Sequence, residues 1–211
     1  MKNILFQDGT HLTTNIDKFR ATNPLIGTKC VIGLARDGVL NHEVTPAVTR
    51  PEYFNPIPGS LEAVADLRHK GYKIVIITAQ PGIGRGHMTI QDVETIHAYM
   101  LDLLGKAGCP SIDGIYYSSG TSKQDPYVKP GVGMFKRAEE HNKSIKFDQG
   151  FYVGHTIADL KAALKIGARP VLVRTGRGAE TEKELNKYAY KDIKEKTYVF
   201  DSLAEFTANL E

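Results

Sequence analysis

The stretch Lys73-Ile74-Val75-Ile76-Ile77-Thr78 constrains the fold more than any other part of the chain. Its aliphatic residues are all β-branched, and no polar residue alternates with them. A strand with one wet face shows alternation, whereas an unbroken run belongs to a strand covered on both faces, as in a parallel sheet flanked by helices. A helix is predicted just upstream over 60–70, with Ser60 as N-cap, Leu61, Val64, Ala65 and Leu67 at helical spacing, and Gly71 as the stop. Strand-like runs at 30–34, 112–117, 150–153, 170–174 and 197–200 alternate with helix-like patterns over 89–106, 132–141, 157–166 and 181–188, and a short helix closes the chain. Crossovers of this length favour right-handed βαβ units. The predicted fold is α/β, a Rossmann-type three-layer sandwich with a mostly parallel sheet.

A chain of 211 residues suits one such domain, placed at 29–211. Residues 1–28 stand apart as an N-terminal arm, with a strand-like start and Asp8-Gly9 as a turn signal. The net charge of +3 is too small and too evenly spread to suggest nucleic acid. The two cysteines, Cys30 and Cys109, form no CxxC or Cys/His cluster, so no zinc is expected. The first residues are too polar for a signal peptide, and no run is long enough to span a bilayer, which makes a cytoplasmic location the expectation.

In open parallel sheets, ligands sit beyond the carboxyl ends of the strands. Ala35-Arg36-Asp37-Gly38 follows the first strand of the repeat, and Thr78 through the glycine-rich loop to Gly86 follows the second. Lys129-Pro130 precedes a helix, and Gly154-His155-Thr156-Ile157-Ala158-Asp159 follows the 150–153 strand. Each has a plain structural alternative. Asp37-Gly38 also makes a good turn, Thr78 also finishes a strand by bonding a neighbouring amide, and Lys129 also works as a solvated lysine. A lone histidine such as His155 commonly just hydrogen-bonds, and the loop bearing Arg85 also works as a plain connection.

Together, RDGVLN, IVIIT with QPGIGRG, DGIYY, KPGVGM and VGHTIADLKAALKIGARPVLVRTGRG resemble the haloacid dehalogenase (HAD) superfamily of phosphatases. The likeness is to the branch acting on D-glycero-D-manno-heptose 1,7-bisphosphate and histidinol phosphate, and it spans about Val31 to Phe206. The resemblance implies a HAD-like fold with a small cap or none. It implies an aspartate nucleophile at the end of the first strand and a second aspartate, two residues on, as acid and base. It also implies Mg²⁺ held by the nucleophile, by the backbone carbonyl of the second aspartate and by an aspartate after the fourth strand, with a Thr and a Lys on the phosphoryl oxygens.

Transferred position by position, Asp37 matches the acid/base and, through its backbone carbonyl, a metal ligand. Thr78 and Lys129 match the phosphate-binding pair, Asp159 the second acidic residue of the last motif, and Arg85 lies in the substrate-side loop. Ala35 stands where the nucleophile belongs, and His155 where an aspartate ligates the metal. Ala79 and Val128 stand where the branch carries Asn and Arg, and its Cys/His zinc loop is missing from 118–127. Magnesium prefers hard oxygen ligands, so these losses predict that Mg²⁺ is not bound.

The expectation is a catalytically degenerate HAD-family homologue that keeps the fold and part of a phosphate pocket, serving as a binding or structural component. The alternative is an active, Mg-dependent sugar-bisphosphate or histidinol-phosphate phosphatase seen with its nucleophile changed to Ala. The expected partners are a phosphorylated small molecule and a protein or second copy contacting the arm or the proline-bearing segment 42–58. No nucleic acid or membrane partner is expected.

Overall fold

The computed structural model describes residues 4–5, 10–12, 29–109 and 111–210. The unbroken aliphatic run becomes the interior strand of an eight-stranded sheet. In chain order the strands are β1 (Ile4–Leu5), β2 (Thr10–Leu12), β3 (Val31–Leu34), β4 (Lys73–Ala79), β5 (Gly114–Ser118), β6 (Phe151–Gly154), β7 (Arg169–Val173) and β8 (Tyr198–Phe200). Their order across the sheet is β1-β2-β5-β4-β3-β6-β7-β8. Pairs from β5 through β8 are parallel, and β2 joins β5 antiparallel. The described arm residues extend the sheet, β1 pairing with β2 and β2 with β5; Asp8 and Gly9 lie outside the described residues.

The helices are α1 (Ser60–His69), α2 (Pro81–Gly84), α3 (Ile90–Lys106), α4 (Gly133–His141), α5 (Ile157–Ile166), α6 (Gly178–Glu184), α7 (Lys191–Lys194) and α8 (Leu203–Ala208). They cover a sheet in which β3 is wholly buried and Ile74 to Thr78 of β4 are buried, as both-face cover requires. Two N-termini are set by reciprocal capping boxes, Thr89 with Asp92 on α3 and Thr156 with Asp159 on α5. Phe135 of α4 stacks edge-to-face on Phe147 and Tyr152, tying the helix layer to β6.

Several sequence expectations shift. The 112–117 strand starts at Gly114, because Asp113 turns its carboxylate inward to accept from the Ile74 amide at 2.8 Å and pair with buried Arg68 at 3.0 Å. The helix expected over 181–188 occupies Gly178–Glu184, and Tyr188–Tyr190 forms a separate 3-10 turn. Thr181 is held within that helix by donating to the His155 carbonyl at 2.8 Å, an anchor from another element that periodicity does not reveal. The glycine-rich loop begins with one helical turn, α2, with Pro81 at its first position.

Successive connections from β3 run first toward β4 and β5, then back across to β6, β7 and β8. The order thus reverses beside β3, and this switch point opens a crevice beyond the strand ends. Gly154, at the end of β6, lets α5 close onto that crevice: a Cβ there would lie 2.3 Å from the Asp159 Cβ. Gly154→Ala is therefore expected to push Asp159 from its place and to lower unfolding free energy by about 1–3 kcal/mol, the usual cost of overpacking. Chemical denaturation of the two proteins checks this, and an unchanged midpoint would count against the packing described.

Candidate functional site

Residues from three strand ends and the loop before α4 meet at the crevice, which encloses a cavity of ≈ 270 Å³. Ala35 and Asp37 come from the end of β3, Thr78 from β4, His155 and Asp159 from β6 and α5, and Lys129 from the loop before α4; all line the cavity. Ala79 and Val128 are on its wall as well, so the departures at those positions fall inside the site. Segment 42–58, expected as a contact surface, contributes Glu43, Val44, Pro46, Ala47 and Val48 to the cavity wall. Arg85 does not join this wall; it is exposed at the carboxyl end of α2, where its amide caps the helix.

Arg36, which the sequence reading passed over, anchors one side of the site. It is fully buried, and its guanidinium grips Asp37 through Nη2 at 2.9 Å and Nε at 3.3 Å. Nη2 also donates to Gln80 Oε1 at 3.0 Å, while Nη1 lies 3.1 Å from His97 Nε2. A guanidinium only donates, so His97 accepts through Nε2 and is neutral. Burial, reinforced by the Arg36 charge, holds the His97 imidazole well below the ordinary histidine range. Gln80 completes the floor by donating to both Asp37 Oδ2 at 3.2 Å and Thr78 Oγ1 at 2.9 Å. Asn41 adds a third donor to Asp37 at 3.2 Å. Burial alone would raise the Asp37 carboxyl, but the Arg36 charge and these hydrogen bonds bring it below its usual value.

Lys129 and Asp159 form the opposite wall. The ammonium lies 2.5 Å from Asp159 Oδ1 and donates to the Tyr152 hydroxyl at 2.9 Å, which in turn donates to the Ile77 carbonyl at 3.1 Å. Asp159 Oδ2 accepts from the His155 amide at 3.1 Å and from the Thr156 amide and hydroxyl at 3.1 and 2.7 Å. Burial opposes both charges, yet mutual attraction lifts the lysine above its ordinary range and holds the aspartate far below its own. Lys129 is thus a paired, largely covered lysine rather than a solvated one.

The His155 ring is packed so closely that a Cβ on Gly38 would lie 2.4 Å from Nδ1. That nitrogen accepts from the Arg177 amide at 3.1 Å, so the neutral ring carries its proton on Nε2. Burial holds this histidine too below its ordinary value. At the cavity mouth Arg177 pairs with Glu43 at 3.2 Å.

The donor set does not suit magnesium. Position 35 offers a methyl group, and the Nδ1 lone pair of His155 is already engaged. Both oxygens of Asp37 and both of Asp159 already accept from protein donors. Among the described residues no three His, Cys, Asp or Glu side chains are grouped so as to hold a metal ion. Also among the described residues, no helix is long and apolar enough to cross a membrane.

The sequence did hold signals for two of the missed residues. Gln80 lies two positions beyond Thr78, hence on the same side of an extended segment. His97 lies on the buried stripe of α3 with Val93, Met100 and Leu104, where a histidine must find a polar partner. Arg36 carried no such signal, because at a strand end an arginine ordinarily points to water.

Comparison with known proteins gives a consistent result. Residues 50–199 match the model of the polynucleotide kinase 3 phosphatase family. The chain is 34% identical over 177 residues to the D-glycero-β-D-manno-heptose-1,7-bisphosphate 7-phosphatase of Pseudomonas putida, covering 84% of this chain and 97% of that one. It is 34% identical over 178 residues to the enzyme of the same name from Neisseria meningitidis, covering 84% and 92%. Among solved structures, the D,D-heptose 1,7-bisphosphate phosphatase of B. bronchiseptica, complexed with magnesium and phosphate, superposes with a TM-score of 0.76 at 30% identity, covering 86% of this chain and 97% of that one.

A depressed histidine pKa contributes stability that is fully present above the ordinary histidine value and is lost as pH falls. The protein is therefore expected to lose stability between about pH 7 and about pH 5, as the unfolded chain takes up protons that His97 and His155 refuse. His97→Gln keeps an acceptor for Arg36 but cannot titrate, so its thermal midpoint should fall less over the same interval. An identical pH slope in both proteins would show that His97 is not the group responsible.

Proposed function

The chain belongs to the HAD-like phosphatases, within the polynucleotide kinase 3 phosphatase family, and from that premise we propose that it binds a phosphorylated small molecule without hydrolysing it. The carrying observation is the Ala35 methyl on the cavity wall, in the place from which a carboxylate attacks phosphorus in this superfamily. A methyl group has no lone pair, so no covalent phosphoryl intermediate forms at this position. Loss of a nucleophile costs on the order of 10⁴–10⁶ in rate where it has been dissected in other hydrolases.

What remains suits anion recognition. Lys129 brings a fixed positive charge whose ammonium has three donors, of which two are engaged by Tyr152 and Asp159. Thr78 accepts from Gln80 and keeps its own hydroxyl proton for a ligand oxygen. Asp37, held ionised by Arg36, Asn41 and Gln80, is oriented for proton transfer but has no covalent step to serve. The sugar-bisphosphate relatives suggest the ligand class, a phosphorylated sugar or a molecule of similar size.

A second reading has a specific observation behind it. Identity of 34% extends over 97% of the P. putida relative, and Asp37, Thr78, Lys129 and Asp159 are the residues that the resemblance assigns to an active Mg-dependent phosphatase, here altered at its nucleophile. Hydrolysis of sugar bisphosphates and of an aryl phosphate, assayed with Mg²⁺, separates the two. The chain as it stands and Ala35→Asp alone should show no metal-dependent turnover, which should emerge only when His155→Asp is added. Vigorous turnover from Ala35→Asp alone would establish the second reading, and turnover by the unaltered chain would sink the first.

A further inference from the structure

The charged side chains on the cavity wall, among the described residues, are Arg36, Asp37, Glu43, Lys129, Asp159 and Arg177. Each cation faces one carboxylate: Arg36 pairs with Asp37 at 2.9 Å, Lys129 with Asp159 at 2.5 Å, and Arg177 with Glu43 at 3.2 Å. The remaining titratable group, His155, accepts the Arg177 amide through Nδ1 at 3.1 Å, which leaves its ring neutral. The wall as a whole is electrically balanced by its own residues.

That balance follows from the same two positions that unmake the magnesium site. A carboxylate at position 35 and another at position 155 would give the wall a surplus of two negative charges, which one divalent cation cancels. With Ala35 and His155 the surplus is gone, and the cation's electrostatic task goes with it. A carboxylate at position 35 would also repel an incoming phosphate, whereas a methyl group does not, so no cation is needed to offset that repulsion. The carboxylate oxygens of Asp37 and Asp159 already accept from Arg36, Gln80, Asn41, Lys129 and the Thr156 cap, so neither carboxylate is free of protein donors for a metal that demands near-octahedral oxygen ligation.

We infer that this cavity takes a phosphate monoester dianion without a divalent cation, the protein's own charge pairing doing what metal does in a magnesium-bearing relative. The inference deepens the proposed phosphate-binding role and rests on it. Lys129 and Thr78 are the contacts, and the space over the Ala35 methyl admits phosphoryl oxygens where a carboxylate would exclude them.

Isothermal titration calorimetry of the full chain provides the test, with MgCl₂ alone, and with inorganic phosphate and phenyl phosphate each in EDTA and in Mg²⁺. Magnesium alone should give no saturable heat, and both phosphates should bind with the same Kd, within about twofold, in the two buffers. Thr78→Val leaves the buried ion pair in place and should weaken phosphate by about tenfold, as loss of a hydrogen bond to a charged group does. Ala35→Asp with His155→Asp should make phosphate binding depend on Mg²⁺. Saturable Mg²⁺ binding by the unaltered chain, or phosphate binding that tightens tenfold or more with Mg²⁺, overturns the inference while leaving phosphate recognition standing. Phosphate that fails to bind in either buffer overturns the proposed function itself, and the inference with it.

Discussion

A guanidinium sealed from solvent at the end of β3 sets the terms for everything around it. Arg36 has no exposure, and an unsatisfied buried charge would cost several kcal/mol, so each of its faces must be answered by the protein. Asp37 answers with a two-point grip, Gln80 with its amide oxygen, and His97 with an imidazole kept neutral. These partners come from the segment after β3, the segment after β4, and α3, so one side chain ties together the elements that frame the cavity floor. Gln80 then passes the constraint on to Thr78 by holding its oxygen at 2.9 Å.

The opposite wall is built on the same physical rule. Burial of Lys129 and Asp159 is tolerable because Tyr152, Thr156 and the His155 amide satisfy what their own contact leaves over. Taking away either partner would strand the other charge, a change that typically costs about 3–5 kcal/mol. The pair therefore has a structural role whatever ligand the cavity receives. A lysine and an aspartate paired in this way hold the wall together independently of any chemistry at positions 35 and 155.

The expected α/β class and most strand and helix positions were readable from periodicity, because burial on two faces and amphipathic packing leave local signatures in β4 and α3. Ala35, Asp37, Thr78, Lys129, His155 and Asp159 were also found together at the cavity, since strand order places all parallel-strand ends on one side. Arg85 was misplaced because a glycine-rich loop does not declare which way its side chains project. Arg36 was missed because a charged residue in a loop reads as solvated until something is seen to cover it, and Arg177 and Glu43 because both stay exposed and meet only across the cavity mouth.

By itself the sequence determined the class of fold, the family, and the chemical identity of each strand end, including the alanine at 35 and the histidine at 155. Those are properties of composition and order, and they hold whatever the side chains later touch. Only the tertiary structure decided which charges meet: Arg36 with His97 on α3, Lys129 with Asp159, and Arg177 with Glu43 across the cavity mouth. Charge pairing acts through space over a few ångströms, and residues far apart in the chain carry no local mark of it. The charge pairing along the cavity wall therefore belongs to the fold.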